Sequence, residues 1–319
     1  MTTEPLVTVV TPSYNQGSFI RDTIESVRAQ DYPNIEHIVI DGGSTDDTLD
    51  ILRSYGDQLA WISEPDNGQS EAINKGFHQA QGEILTWLNS DDTFLPGAVS
   101  ESITFLQANP AIDLVYGDAQ IIDEAGNVVF AHMKSKPFAV PTILTRFSAF
   151  TQPAGFFRKS ALDRAGYLNE TLHYVMDFDL WIRIGLNGQG AYLPGVRAQM
   201  RFHATSKSVT AETRFWAEKR HALDTLFARQ DLPAEVRAAR REAYAHCELY
   251  WGDNLLREGK QAEARPHLSF AFKTHPRPRR RLLALLLLID SYAGTQLGTA
   301  VRKVRDQVEG APQVWKPDV

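Results

Sequence analysis

Four apolar runs of strand length, separated by segments of helical spacing, restrict what this chain can fold into more than any other feature. They cover residues 6–11, 35–40, 59–63 and 84–88. Runs of Val, Ile and Leu of this length read as strands buried on both faces. Between the first two, Ile20, Ile24 and Val27 recur at helical spacing. Ser44 and Thr45 are placed to cap the next helix, with Asp46 and Asp47 in a first turn where the helix dipole favours acids. A further helix is expected over about 70–80. Such alternation produces right-handed crossovers and a parallel sheet with helices on both faces. Each strand ends in a polar loop: Thr11-Pro12, Asp41-Gly42, Ser63-Glu64-Pro65-Asp66 and Ser90-Asp91-Asp92. Those loops share one edge of the sheet, the edge at which open α/β sheets bind ligands.

The fourth strand, Ile84-Leu85-Thr86-Trp87-Leu88, runs directly into Asn89-Ser90-Asp91-Asp92. Two carboxylates at a ligand-binding edge are suited to a hard cation, because Mg2+ usually takes one or two carboxylates together with substrate phosphate oxygens. The same acids would also serve to cap a helix starting near Pro96.

Composition narrows the class. Of 319 residues, 43% are hydrophobic, enough for a sizeable core and against disorder. A net charge of -6 gives no general nucleic-acid signature. Cys247 is the only cysteine, so no internal disulfide can form. The first residues, Met-Thr-Thr-Glu-Pro, lack the basic and apolar regions of a signal peptide. Residues 282–289 are strongly apolar but far short of the roughly 20 residues a bilayer span needs. The expectation is a cytoplasmic protein.

The motif series resembles family 2 glycosyltransferases. It runs Thr11-Pro12-Ser13-Tyr14-Asn15, then Ile40-Asp41-Gly42-Gly43-Ser44-Thr45-Asp46, then Asn74-Lys75-Gly76 through Gly82-Glu83, then Asn89-Ser90-Asp91-Asp92. The resemblance implies the GT-A fold, an α/β nucleotide-sugar-binding sandwich with a mainly parallel central sheet. It also implies a nucleoside-diphosphate sugar donor, a divalent cation (Mn2+ or Mg2+), and inversion at the anomeric carbon. At matching positions it implies that Asp41 contacts the base, typically uracil, and that Thr11, Pro12 and Tyr14 line the nucleoside. It implies that Asp91 and Asp92 hold the ribose and, through the metal, the diphosphate. Asn15, Asn74, Lys75 and Arg183 complete the implied nucleotide-sugar set. The chain departs from the family pattern at Gly42 and Asn89, where acids are frequent.

Residues 114–118 and 119–122 are expected as strands, the second forming a hairpin with 128–132 around Asp123-Glu124-Ala125-Gly126-Asn127. Met176-Asp177-Phe178-Asp179-Leu180-Trp181-Ile182-Arg183 resembles the family's acidic helix start. Asp177 falls at the general-base position, and a base is needed to take the acceptor hydroxyl proton during inversion. Either Asp177 or Asp179 would equally cap this helix, while Leu180 and Trp181 read as core. Within Arg201-Phe202-His203-Ala204-Thr205-Ser206-Lys207-Ser208, the resemblance makes His203 a candidate metal ligand. His203 as a structural residue stays open beside it.

Strand signals stop near residue 210, so the reading is a catalytic domain over 1–210 and a helical region over 211–319. Helices are expected at 215–230, 233–257 and 261–274. Residues 244–276 resemble one tetratricopeptide-style hairpin, with small residues where helices cross. Such a unit cannot bury its face alone. A basic/apolar helix over 277–305 begins with Arg277, Arg279, Arg280 and Arg281 and continues through the 282–289 run. Residues 277–289 fit either a membrane surface rich in anionic lipid or a helix sealing the hairpin.

The expected activity is transfer of a sugar, from a UDP-sugar before other donors, to a hydroxyl of a glycan or polyprenyl-linked glycan. The rival is a non-catalytic nucleotide-sugar-binding protein working through its helical tail. A nucleotidyltransferase would want a basic residue in the loop after the first strand, and Pro12-Ser13-Tyr14-Asn15-Gln16-Gly17 has none.

Overall fold

The computed structural model describes residues 4–146, 150–207, 212–294 and 300. It contains two units, one of residues 1–139 and 148–203, the other of 140–147 and 204–319. The expected boundary at 210 and residues 295–299 and 301–305 of the expected last helix lie outside the described residues.

The first unit follows the expected alternation: β1 (Val7–Ser13), α1 (Ile20–Arg28), β2 (Ile35–Asp41), α2 (Thr48–Ser54), β3 (Ala60–Ser63), α3 (Gln69–Gln79) and β4 (Ile84–Trp87). Then come β5 (Thr93–Phe94), α4 (Ala98–Ala108), β6 (Leu114–Ile122) and β7 (Val128–Met133). A short helix, α5 (Val140–Thr145), belongs to the second unit. The first unit resumes with β8 (Gly155–Arg158), α6 (Lys159–Ala165), α7 (Met176–Asn187) and β9 (Gly190–Arg201).

The strands form one sheet ordered β3-β2-β1-β4-β8-β6-β9-β5, with β7 on β6. Strands β1 to β4 pair in parallel as expected. The second half is mixed: β8 runs antiparallel to both β4 and β6, and β5 runs antiparallel to β9. Residues 114–118 and 119–122 form a single strand, because β9 pairs along its whole length through two register shifts. The expected hairpin with 128–132 is present. Helix α2 starts later than expected, at Thr48, because Asp46 is drawn out of it: its carboxylate accepts the amides of Thr48 at 3.0 Å and of Gly17 at 2.9 Å.

Helix α3 lies close on β1 because Gly76 faces Val10, where an added Cβ would come within 2.4 Å of Val10 Cγ1. On the other side of the site, Trp87 of β4 stacks on Trp181 of α7 at 5.2 Å and 13°. Both rings are buried, and the contact fixes the start of α7 against the end of β4.

The second unit is helical: α8 (Glu212–Phe227), α9 (Ala234–Arg257), α10 (Gln261–Thr274) and α11 (Pro278–Ala293), together with α5. Helices α9 and α10 cross at Gly252, whose added Cβ would come within 2.6 Å of Leu268 Cγ. The face this hairpin cannot bury by itself is covered by Leu283, Ala284 and Leu287 of α11. The other face of α11 exposes Leu282, Ile289 and Tyr292. No helix among the described residues is long and apolar enough to cross a membrane.

Candidate active site

Strands β1, β2 and β3 finish level, with Ser13, Asp41 and Ser63 in register at the carboxyl edge. The loops beyond them are stitched together. Asn15 sits in the left-handed region at φ 53°, which Asn tolerates. That turn lets its amide donate to Ser44 Oγ at 2.7 Å while its Oδ1 accepts from Thr45 N at 2.8 Å. Tyr14, beside it, is 60% exposed. Thr11 and Pro12 lie inside the sheet, where Thr11 Oγ1 bonds His37 Nε2 at 2.9 Å. Burial pushes the His37 imidazole down to about 4, with Arg28 adding to the effect. Asp41 is fully buried and its carboxylate accepts from Gly43 N, Ser44 N, Ser44 Oγ and Ser63 Oγ. Its side chain organises the edge from beneath.

The two acids after β4 face different ways. Asp91 Oδ2 lies 3.0 Å from Nε2 of His203, which follows β9. Asp92 turns inward, where Oδ1 accepts Arg201 N at 3.0 Å and Oδ2 accepts Asn89 Nδ2 at 3.1 Å. Burial, and then the charge of Asp91, push Asp92 well above the usual carboxylate range. Arg201, itself buried, ties these parts together: its guanidinium donates to the Asp91 carbonyl at 3.1 Å and to Asp22 at 2.9 Å. The ring of Phe19 packs on His203 with centroids 4.6 Å apart. Asn89 bonds Gln69 Nε2 through Oδ1 at 2.7 Å.

Asp177 stands in the first turn of α7, one turn before Trp181, and accepts Phe178 N at 2.7 Å. Three other candidates have their polar atoms engaged within the protein. Arg183 bonds Asp179 and the carbonyls of Ala165, Gly166 and Tyr167. Asn74 bonds both backbone groups of Leu168 and the carboxylate of Glu170. Lys75 pairs with Glu64 and Glu71, each at 2.9 Å. These contacts pin helices α3 and α7 to the loops beside them. The structure therefore brings Asp91 and His203 together, while Arg183, Asn74 and Lys75 are hydrogen-bonded or ion-paired within the protein. Ser13, Asp66 and Arg201 take prominent places that the linear pattern did not single out.

Asp91 and His203 offer one oxygen and one nitrogen across a short gap, a donor set suited to Mn2+ or Mg2+ completed by phosphate oxygens. Among the described residues no group of three or more His, Cys, Asp or Glu side chains converges in this way. Such a cation site would thus be shared between protein and ligand.

An α/β sheet with acids and a histidine at its carboxyl edge defines the class, and the whole fold matches GT-A glycosyltransferases. Staphylococcus aureus TarS 1-349 in complex with UDP-GlcNAc aligns with TM-score 0.64 and 17% identity, covering 94% of this chain and 92% of that one. The mannosyltransferase PcManGT of Pyrobaculum calidifontis, in complex with GDP-Man and Mn2+, aligns with TM-score 0.62 and 18% identity, covering 96% and 89%. Residues 8–166 match the profile of Glycosyl transferase family 2. An uncharacterized glycosyltransferase of Mycobacterium tuberculosis is 32% identical over 193 residues, 58% of this chain and 71% of the relative. The Bacillus subtilis protein TuaG, whose name places it in teichuronic acid biosynthesis, is 38% identical over 107 residues, 32% of this chain and 42% of TuaG. The chain belongs to glycosyl transferase family 2. It spans only 35% of the length of the Rickettsia felis and Rickettsia conorii relatives it matches.

Proposed function

We propose that this chain is a metal-dependent inverting glycosyltransferase, moving one sugar from a nucleoside-diphosphate sugar to a hydroxyl of a glycan or polyprenyl-linked glycan. The observation that carries the reading is Asp91 facing His203 at 3.0 Å beside the level ends of β1, β2 and β3. The loops of those strands receive the nucleoside, and the diphosphate reaches toward Asp91 and His203. A divalent cation bound there would withdraw charge from the departing diphosphate as a Lewis acid. Asp177 takes the acceptor hydroxyl proton as that oxygen bonds to the anomeric carbon, and the bond from that carbon to the diphosphate breaks on the opposite face. Asp92 holds Arg201 and β9 in place, so that His203 stays opposite Asp91. UDP-GlcNAc bound to TarS and GDP-Man bound to PcManGT support a nucleotide-sugar donor, and TuaG's name supports a cell-envelope glycan as acceptor.

Calorimetric titration with UDP, in Mn2+ or Mg2+ and again in EDTA, tests the reading. Binding that needs the metal is expected. Binding of GDP or dTDP in place of UDP would revise only the base, whereas no binding of any of the three would remove the enzyme reading.

We also propose that α11 docks on a membrane surface. Its exposed Leu282, Ile289 and Tyr292 lie on one stripe, with the exposed Arg279 and Arg281 flanking its start. That pairing of exposed apolar side chains with flanking arginines supports docking on an anionic lipid surface. Sedimentation with phosphatidylglycerol vesicles is expected, and it should fail with phosphatidylcholine alone and with an Arg279→Glu, Arg281→Glu variant. Equal recovery with both lipids, or none, would remove the proposal.

A further inference from the structure

We infer that Asp66, in the loop between β3 and α3, is the carboxylate that reads the nucleobase, selecting bases that carry a ring N–H on their pairing edge. This rests on the nucleotide-sugar reading above. A base lying at this edge needs a polar group that can reach it, and Asp41 cannot serve. It is wholly buried, with four hydrogen bonds from its own and neighbouring loops converging on its two oxygens. The residue after it is Gly42, whose φ is not positive, so the absence of a side chain answers to space and not to backbone conformation. That space is taken by Asp66: a Cβ on Gly42 would lie 2.7 Å from Asp66 Oδ2. The β3–α3 loop thus delivers a carboxylate onto the β2 edge at the point where β2 itself offers none.

The two oxygens of Asp66 differ. Oδ1 accepts Gly68 N at 2.8 Å, which fixes the carboxylate's direction. Oδ2 accepts no hydrogen bond from any described residue, and Asp66 is half-buried. Burial also raises its pKa, against the lowering effect of the Gly68 amide. A second, independent group points to a ligand at the same edge. Ser13 Oγ is buried with no hydrogen-bond partner among the described residues, on the strand position in register with Asp41. Buried hydroxyls are rarely left unsatisfied, and one at a strand end beside an open edge is suited to a bound molecule. The exposed Tyr14 ring follows directly and offers a face on which a base can stack.

A carboxylate oxygen accepts and does not donate. The single available oxygen of Asp66 therefore matches one ring N–H, as in uracil N3–H or guanine N1–H. Cytosine and adenine present a ring nitrogen lone pair at that position, so the site repels them. An amide at position 66 can turn its N–H2 toward that lone pair and reverses the preference.

The test is calorimetric titration of the full chain with UDP, GDP and CDP in Mn2+, for the wild type, Asp66→Asn and Gly42→Ala. Wild-type protein is expected to bind UDP or GDP at least about tenfold more tightly than CDP. Asp66→Asn should lose that margin, with CDP binding as well as or better than before. Gly42→Ala leaves the charge intact and only pushes the Asp66 carboxylate aside, and it should lose the margin too. It keeps the question open to refutation should Asp66→Asn fold poorly. Equal losses for all three nucleotides in both variants, or unchanged selectivity in either folded variant, would overturn the inference while leaving the nucleotide-sugar reading intact. Wild-type protein that binds no nucleotide would overturn both.

Discussion

Asp91→Asn is expected to weaken metal-dependent nucleotide binding severely while leaving the protein folded. The carboxylate faces His203 at 3.0 Å, and its backbone carbonyl, not its side chain, receives the Arg201 guanidinium. The substitution removes a negative charge from the proposed cation site without disturbing the frame. Losing one of two protein ligands should weaken Mn2+-dependent UDP binding by about 100-fold or more, a change of about 3 kcal/mol. Unfolding temperature should not fall, because the Asp91 charge adds to the strain on buried Asp92 and its removal relieves it. His203→Ala should reproduce the binding defect. Asp92→Ala behaves differently: it strips the partners of Arg201 N and Asn89 Nδ2 and should lower the unfolding temperature. Wild-type metal dependence in Asp91→Asn would move the cation elsewhere and with it the proposed reaction centre.

Asp177→Asn should lower kcat by about 100- to 10,000-fold, the usual contribution of a positioned general base, with donor affinity unchanged. The amide keeps the side chain's volume and can still accept Phe178 N through Oδ1, so α7 should start as before. What it loses is the capacity to take a proton. Asp179→Asn is the control two residues away. Its partner is Arg183, which binds the carbonyls of Ala165, Gly166 and Tyr167, so this substitution should reduce stability first. A kcat defect in Asp179→Asn larger than that in Asp177→Asn, with both proteins folded, would transfer the base role to Asp179. Donor hydrolysis measured without acceptor gives a second readout, since a base acting only on the acceptor hydroxyl would leave any slow attack by water less affected.

The architecture around β1 to β4 was legible in the chain because it follows from local physics. Apolar runs of strand length alternate with helix-spaced segments, and only parallel crossovers bury both. The mixed half of the sheet was not legible. Residues 155–158 hold only two large apolar side chains, Phe156 and Phe157, and the strand's direction depends on pairing with β4 and β6, partners distant along the chain. The merging of 114–122 into one strand depends likewise on β9. In the helical unit, small residues marked the α9–α10 crossing, but nothing linear told which face of α11 would be buried. Leu283 and Leu287 were settled by contact with the hairpin, while Leu282 and Ile289, equally apolar, stayed outside.

The same division holds at the site. The family and the edge at which chemistry is to be sought were legible in the chain, because strand-ending acids and turn residues are local signals. The sequence also singled out Asp91 and His203, although 112 positions separate them. Which acid turns toward the open edge and which turns into the protein depended on tertiary contacts. Asp91 and Asp92 are adjacent in the chain, yet one looks across to His203 and the other down to Arg201, since the turn between β4 and β5, closed by Asp92 N on the Asn89 carbonyl at 3.1 Å, sends their side chains apart. Asp41 and Asp66 divide in the same way. One is enclosed by its own loop's amides and hydroxyls, and the other is carried into the space left by Gly42. A residue's type states what it can bind, but which partner claims it first depends on long-range packing that no local pattern records.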